Sequence, residues 1–305
     1  MGADLPGEAD ESPDGDSGPQ GGASGGDQRA PAETRSRGEY YVVLHQAVSA
    51  AAQQDVADEQ AEAEKWDQVA AESRWMWGEY ERKWPPDERA PVDTSADPPG
   101  SWRADADRFL PAAANRRVDQ ECDRVEDRER DVISPAMQAI ESQDPNRHLV
   151  GFGDRLKGHD RIKEKVVERI EEKNRTPEEA VSLTPDTIRY TFQYKTTRYT
   201  EGVRADIMRL KEHGFELSKL KNSWSSDQYR GINSQWLEPD TGQRFEVQFH
   251  TRVSFEAKQL THDAYERLRT KQADKFEELV LEAFQAKVTA QVSVPPGAAD
   301  IPDYP

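Results

Sequence analysis

The chain has 305 residues, 34% of them hydrophobic and 33% charged, with 41 Lys and Arg against 59 Asp and Glu for a formal charge of −18. So much charge leaves part of the chain outside any core, and no stretch approaches the ~18 apolar residues of a membrane span. A lone cysteine, Cys122, excludes an intrachain disulfide and a cysteine-based zinc site.

Residues 1–38 are Gly, Pro, Ser, Asp and Glu with almost nothing to bury, which predicts a disordered acidic tail. The start, MGADLPGEADESPDGD, carries neither a basic nor an apolar leader, so a cytoplasmic location is expected, with export by machinery that reads no such leader left open. Residues 39–84 are rich in Ala, Glu and Gln and hold no Gly before Gly78, which predicts one long helix or two shorter ones. Trp66, Trp75, Trp77 and Trp84 on it read as docking onto the protein's own core, a partner surface being the alternative. The five prolines of residues 85–101 break any helix and predict a linker at a domain boundary.

Beyond Trp102, Val118, Cys122, Val125, Val132 and Ile133 recur at helical spacing, with Pro135 kinking the path or starting a new helix. Cys122 lies in that apolar register and reads as a buried small hydrophobe. Residues 155–173 predict a charged helix with Ile162, Val166, Val167 and Ile170 inward. Strands then alternate with helices: strand 187–194, helix 200–213 capped by Gly214, strands 215–221, 231–237 and 244–251, and helices 254–270 and 274–290. That order implies an α+β fold, a mixed sheet flanked by helices, spanning residues 102–292, with 293–305 a loose end.

Two features point to chemistry. In Arg244–Thr251 the alternation puts Glu246, Gln248 and His250 on one face and Phe245, Val247 and Phe249 on the other, so one side of a buried strand is polar. Residues 151–270 hold 22 Lys and Arg against 20 Asp and Glu, whereas the remainder holds 19 against 39. A near-neutral, cation-rich segment in an acidic chain suits a small anionic ligand better than long nucleic acid.

Five stretches in this order, RLKGHDRIK (155–163), TPDTIRY (184–190), YRGIN (229–233), FEVQFHT (245–251) and FEAKQLTHDAYE (255–266), resemble the RelA/SpoT-type nucleotide pyrophosphokinase domain. The resemblance runs from residue 105 or 150 to 290 and leaves the N-terminal third unexplained. It implies a nucleotidyltransferase-like synthetase fold and Mg²⁺-dependent transfer of pyrophosphate from ATP to the 3'-hydroxyl of a purine nucleotide, GDP, GTP, AMP, ADP or ATP. It also implies that Asp186 is the principal metal ligand and that Glu246 is a second ligand or the general base. Arg155, Lys157, Lys163 and Arg189 correspond to ATP-binding cations, the first three expected on one helix. Tyr229 corresponds to the tyrosine on which the acceptor base stacks, with Lys221 and Arg230 for its phosphates and Gln248 for a ribose hydroxyl.

Asn233 and His250 stand on the acceptor side where the family more often has histidine and arginine, which puts acceptor identity in doubt. Glu256 and His262 are supporting residues, orienting substrate or bracing the sheet. The His159-Asp160 and His262-Asp263 pairs lack the further ligands of a metal phosphohydrolase. The resemblance implies a product that is an alarmone or the poison of a growth-arresting toxin, and in the second case an immunity protein is an expected partner. Pyrophosphorylation of tRNA 3' ends is disfavoured by the modest charge of the segment, and a non-catalytic nucleotide-binding or interaction module remains the alternative from another class.

Overall fold

A computed structural model describes residues 37–85, 92–270 and 273–305; the acidic tail expected at 1–38 falls almost wholly outside them. The chain divides into two units, residues 1–50 and 51–305. In the first, the described residues 37–50 are helical and belong to helix α1 (Arg37–Lys83). The second unit contains everything else, and the boundary expected at the proline-rich segment is not where the chain divides. Residues on both sides of that segment share one unit, because α1 buries Trp66 and Ala70 in the main core and Tyr80 against Ala264 and Leu281. Trp77 and Trp84 stack on Tyr80, whereas Trp75 is 64% exposed. The described part of the linker runs into a small hairpin, β1 (Trp102–Arg103) with β2 (Phe109–Leu110), where Arg103 grips Asp97 at 2.9 Å.

Helix α2 (Ala112–Arg128) buries Val118, Cys122 and Val125, and burial pushes the Cys122 thiol up to about 12, as suits a structural cysteine. The helix passes into α3 (Ser134–Glu141) through a π-helical turn at Glu129–Ile133. Pro135 accounts for this, since it can donate no hydrogen bond to the preceding turn and its ring crowds the carbonyl four residues back. The wider turn carries Glu129 inward to 1% exposure.

A five-stranded mixed sheet follows from β3 (Arg147–Leu149), β4 (Arg189–Tyr194), β5 (Glu216–Asn222), β6 (Ile232–Glu238) and β7 (Gln243–Thr251). Its order is β3-β4-β7-β6-β5, with β4 and β7 parallel and every other pair antiparallel. Helices α4 (His159–Lys173), α5 (Pro177–Ser182), α6 (Tyr199–Glu212), α7 (Arg252–Arg269) and α8 (Lys275–Thr289) surround it. β3, α5 and the hairpin have no periodic signature in the sequence because each is too short to show one.

The period of two decides what the sheet does. Tyr190, Phe192 and Tyr194 of β4, Phe245, Val247 and Phe249 of β7, and Ile232 and Trp236 of β6 are all nearly fully buried and form one apolar face of the core. On β5 a bulge between Leu217 and Lys219 shifts the register by one residue, so Lys219 stands opposite Gln235 and Lys221 opposite Asn233. The C-terminal residues 293–305, expected to be loose, are tied to this edge strand. Leu220 and Tyr304 exchange two backbone hydrogen bonds of 2.9 Å, and the Asn222 amide donates to the carbonyls of Ala298 and Ile301 at 2.8 Å. Ala298 and Ile301 are buried, so the segment covers a strand edge that would otherwise be unpaired. Among the described residues no helix is long and apolar enough to cross a membrane.

Removing the Ile301 side chain should lower the unfolding free energy by about 2–4 kcal/mol. Urea denaturation of Ile301→Ala measures this, and an unchanged midpoint would mean that the segment is not docked.

Candidate active site

The polar face of the sheet is built in rows. Lys219, Gln235, Glu246 and Arg189 are successive cross-strand neighbours from β5 to β4, and Lys221, Asn233, Gln248 and Thr191 form the next row. Asp186 lies three residues before Arg189, in a short 3₁₀ turn that leads into β4. The parallel pairing of β4 with β7 therefore brings Asp186 and Glu246 to the same end of the sheet.

Lys157 reaches Asp186 by a route the sequence concealed. The predicted helix from Arg155 begins only at His159, after Gly158, so Arg155 and Lys157 are not helical. Instead Leu156 bridges Ile188, with Lys157 N–H donating to the Thr187 carbonyl at 3.0 Å and Arg189 N–H to the Arg155 carbonyl at 2.8 Å. This miniature ladder sets Lys157 Nζ 2.7 Å from Asp186 Oδ2. The second cation on that oxygen comes from α4, and it is Lys165. Lys163, the expected one, is buried on the other side of α4 and pairs with Asp119 of α2 at 2.7 Å. Two residues on a helix differ by more than half a turn, so Lys163 and Lys165 point apart.

Burial would raise the Asp186 carboxyl, but hydrogen bonds and charge from Lys157, then Lys165, outweigh it and hold it at about 2. Glu246 goes the other way: burial raises it and the Asp186 charge adds to the shift, while Arg189 and the Gln248 amide oppose it. Gln248 donates to Glu246 and accepts from Lys258 Nζ of α7 at 2.6 Å. Lys258, which the sequence reading did not name, is lowered to about 8 by burial and by Arg189, with Glu246 opposing. The site thus holds two carboxylates of unlike basicity within a set of four cations, Lys157, Lys165, Arg189 and Lys258.

Arg155 is fixed beside this set. Its guanidinium pairs with Glu129 at 2.6 Å and lies over the Phe152 ring at 4.3 Å from the centroid. Glu129 also accepts from the Ser134 and Tyr190 hydroxyls, so the π-helical turn supplies a buried anchor that no sequence pattern marked. Of the residues expected to bind the acceptor, Tyr229, Asn233 and His250 are hydrogen-bonded together, and Lys221 is exposed on the adjoining strand. Three expected residues do not join them. Arg230 donates to the Val292 carbonyl of the C-terminal region, Glu256 pairs with Arg252 at 2.9 Å, and His262 is exposed one turn beyond Lys258.

Asp186 and Glu246 are the two carboxylates that could hold a divalent cation. Both lysines sit on Oδ2 of Asp186, and among the described residues Oδ1 accepts no hydrogen bond. No third His, Cys, Asp or Glu completes a metal cluster among the described residues. Two hard carboxylates with water and phosphate oxygens as the remaining ligands is the usual arrangement for Mg²⁺.

No family model matches this sequence, and no curated protein is similar to it. Among solved structures the chain is similar to smu.1046c from Streptococcus mutans UA159, at 15% identity over 57% of this chain and 88% of that one, with a TM-score of 0.35. It is also similar to small alarmone synthetase 1 from Bacillus subtilis bound to its product pppGpp, at 13% identity over 57% and 89% of the two chains, with a TM-score of 0.34. A GTP pyrophosphokinase family protein from Streptococcus pneumoniae gives 13% identity over 58% and 85%, with a TM-score of 0.35.

If Lys165 helps to hold Asp186 ionised, Lys165→Met should raise the Asp186 carboxyl from about 2 toward its ordinary 3.8. Carboxyl titration followed by NMR reads this directly, and Lys163→Met should leave Asp186 where it is.

Proposed function

We propose that this protein is a Mg²⁺-dependent pyrophosphokinase that moves the β,γ-pyrophosphoryl group of ATP to the 3'-hydroxyl of a purine nucleotide. The observation that carries the reading is Asp186, held ionised by two lysines at the end of β4 where the parallel pairing presents Glu246. The five sequence stretches that resemble this class of enzyme converge on the same place.

The roles follow from charge and basicity. When ATP enters, Lys157 and Lys165 exchange the Asp186 oxygen for phosphate oxygens, with Arg189 and Lys258 adding charge on the side facing Glu246. Arg155, locked edge-on to Glu129 with one face on Phe152, offers its other face to the adenine ring. Asp186 would be the principal ligand of the metal, with Glu246 beside it as a second ligand or as the base, and a bound Mg²⁺ would offset phosphate charge and polarise the transferred group. Glu246, more basic than an ordinary carboxylate, accepts the proton of the 3'-hydroxyl as its oxygen attacks the β-phosphorus. The bond between the β-phosphorus and the bridging oxygen to the α-phosphate breaks, and AMP leaves with that oxygen.

Tyr229 presents its ring to the acceptor base, an interaction of about 1–3 kcal/mol. Lys221 is placed for the acceptor's 5'-phosphates, and Lys219 extends the same edge. Arg230 is released from that role by its bond to Val292. The product is a 3'-pyrophosphorylated nucleotide that serves as signal or as toxin, and in the second case an immunity protein is its partner.

Incubation of the protein with Mg²⁺, γ-labelled ATP and GDP, GTP, AMP or ADP, with products identified by mass spectrometry, should yield AMP and a pyrophosphorylated acceptor. Asp186→Asn should abolish product, and Glu246→Gln should slow turnover by ~10²–10⁴-fold. Absence of product with every pairing would refute the enzyme.

A pH profile provides an independent check. Lys258 binds anion only as the ammonium form, so kcat/KM should fall above pH about 8 as the free enzyme loses that proton. In Lys258→Arg, which cannot deprotonate, the falling limb should move to higher pH, where Lys157, also lowered by burial, loses its proton.

A further inference from the structure

His250 cannot serve as a direct contact for the acceptor, because it is 0% exposed. Yet it makes two side-chain hydrogen bonds, and their protons can be ordered. Tyr229 Oη donates its single proton to Asn233 Oδ1 at 2.8 Å. Its contact with His250 Nε2 at 2.9 Å therefore requires Nε2 to carry a proton and donate. A neutral imidazole has one N–H, so Nδ1 is an acceptor, and Ser254 Oγ lies 2.8 Å from it. Ser254 has a poorer alternative acceptor in the Thr251 carbonyl at 3.2 Å. The protons thus run one way, from Ser254 to His250 to Tyr229 to Asn233.

Neutrality of the imidazole is supported by its surroundings. Burial holds it well below the ordinary histidine value, and Lys258 of α7, the charged group that acts on it, pushes the same way. The backbone is shaped to the same end: Gly231 has φ +154° and passes so close that a Cβ would fall 2.6 Å from His250 Cε1 and 3.1 Å from Tyr229 Oη. Only glycine lets the chain between Tyr229 and β6 close over the ring. The Tyr229 and His250 rings meet edge to face, with centroids 5.5 Å apart.

Resting on the reading of the site as a pyrophosphokinase, we propose that His250 is a positioning residue that fixes Tyr229 as the platform for the acceptor base through the directed chain Ser254–His250–Tyr229–Asn233. The two departures from the family pattern, His250 and Asn233, are then a single device. They are the two partners of one tyrosine hydroxyl, one donating to it and one accepting from it. Selectivity toward the acceptor follows: loosening the chain lets the Tyr229 ring swing while Asp186, Lys157 and Lys165 remain in place.

The test combines spectroscopy with kinetics. In ¹⁵N NMR of the full chain, His250 should appear as the neutral Nε2–H tautomer at pH 6, and Tyr229→Phe should shift Nε2 more than Nδ1. An imidazolium at pH 6, or an Nδ1–H tautomer, would overturn the proposal whatever the protein catalyses. With GDP, GTP, AMP or ADP as acceptor, His250→Leu should raise the acceptor KM about tenfold and leave the KM for ATP unchanged. His250→Gln, whose amide can donate to Tyr229 from nearly the same point, should recover most of that loss. Tyr229→Phe should be no worse when combined with His250→Leu than alone. Equal rises in both KM values, additive losses, or failure of glutamine to rescue would each refute a positioning role. If no nucleotide is turned over, the pyrophosphokinase reading fails, and the spectrum alone still decides the order of the hydrogen bonds.

Discussion

The parallel register between β4 and β7 is the constraint on which the rest depends. Arg189 faces Glu246, Thr191 faces Gln248 and Gln193 faces His250, and the same register sets Phe192 beside Phe249 on the opposite face. A slip of one residue would turn Glu246 and Gln248 into the core and Phe245 and Phe249 into the site, and the misplaced carboxylate and amide would each meet an apolar environment that leaves them without partners. Fold and site are therefore specified together: the pairing that buries the aromatic face is the pairing that gathers the polar one.

On that frame the electrostatics are arranged by opposition. Asp186 and Glu246 lie near enough for the first to raise the second, yet the first is held ionised because the short ladder of Leu156 with Ile188 and the second turn of α4 each deliver a lysine to it. Two carboxylates pushed apart in basicity can divide labour, one holding charge and one moving a proton. The cations that effect this separation are also the ones a polyphosphate would attract.

The anchoring of these groups lies outside the sheet. Pro135 forces a π-helical turn, the turn buries Glu129, and Glu129 holds Arg155. The C-terminal segment reaches back to the edge of β5 and takes up Arg230 through the Val292 carbonyl. Both are long-range consequences of packing, and they explain why Arg155 is fixed beside Glu129 while Arg230 is turned toward the C-terminal segment.

The sequence by itself determined the order of the main elements, because a period of two in Arg244–Thr251 and a period of 3.6 in α2, α4 and α6 are set by which residues can be buried. It also determined the polar face of the Glu246 strand, the structural character of Cys122, and the turn-forming glycine at Gly214. Only the tertiary structure decided which cations serve the site. Lys163 and Lys165 look alike in the sequence, and their roles separate because α4 packs against Asp119 of α2 on one side and Asp186 on the other. Lys258 acquired a role from the lean of α7 over β7, Glu129 from a proline six residues away, and residues 293–305 from a free strand edge. Periodicity reports how much of a residue is buried and says nothing of which distant group it will meet; that is settled by the packing of elements far apart in the chain.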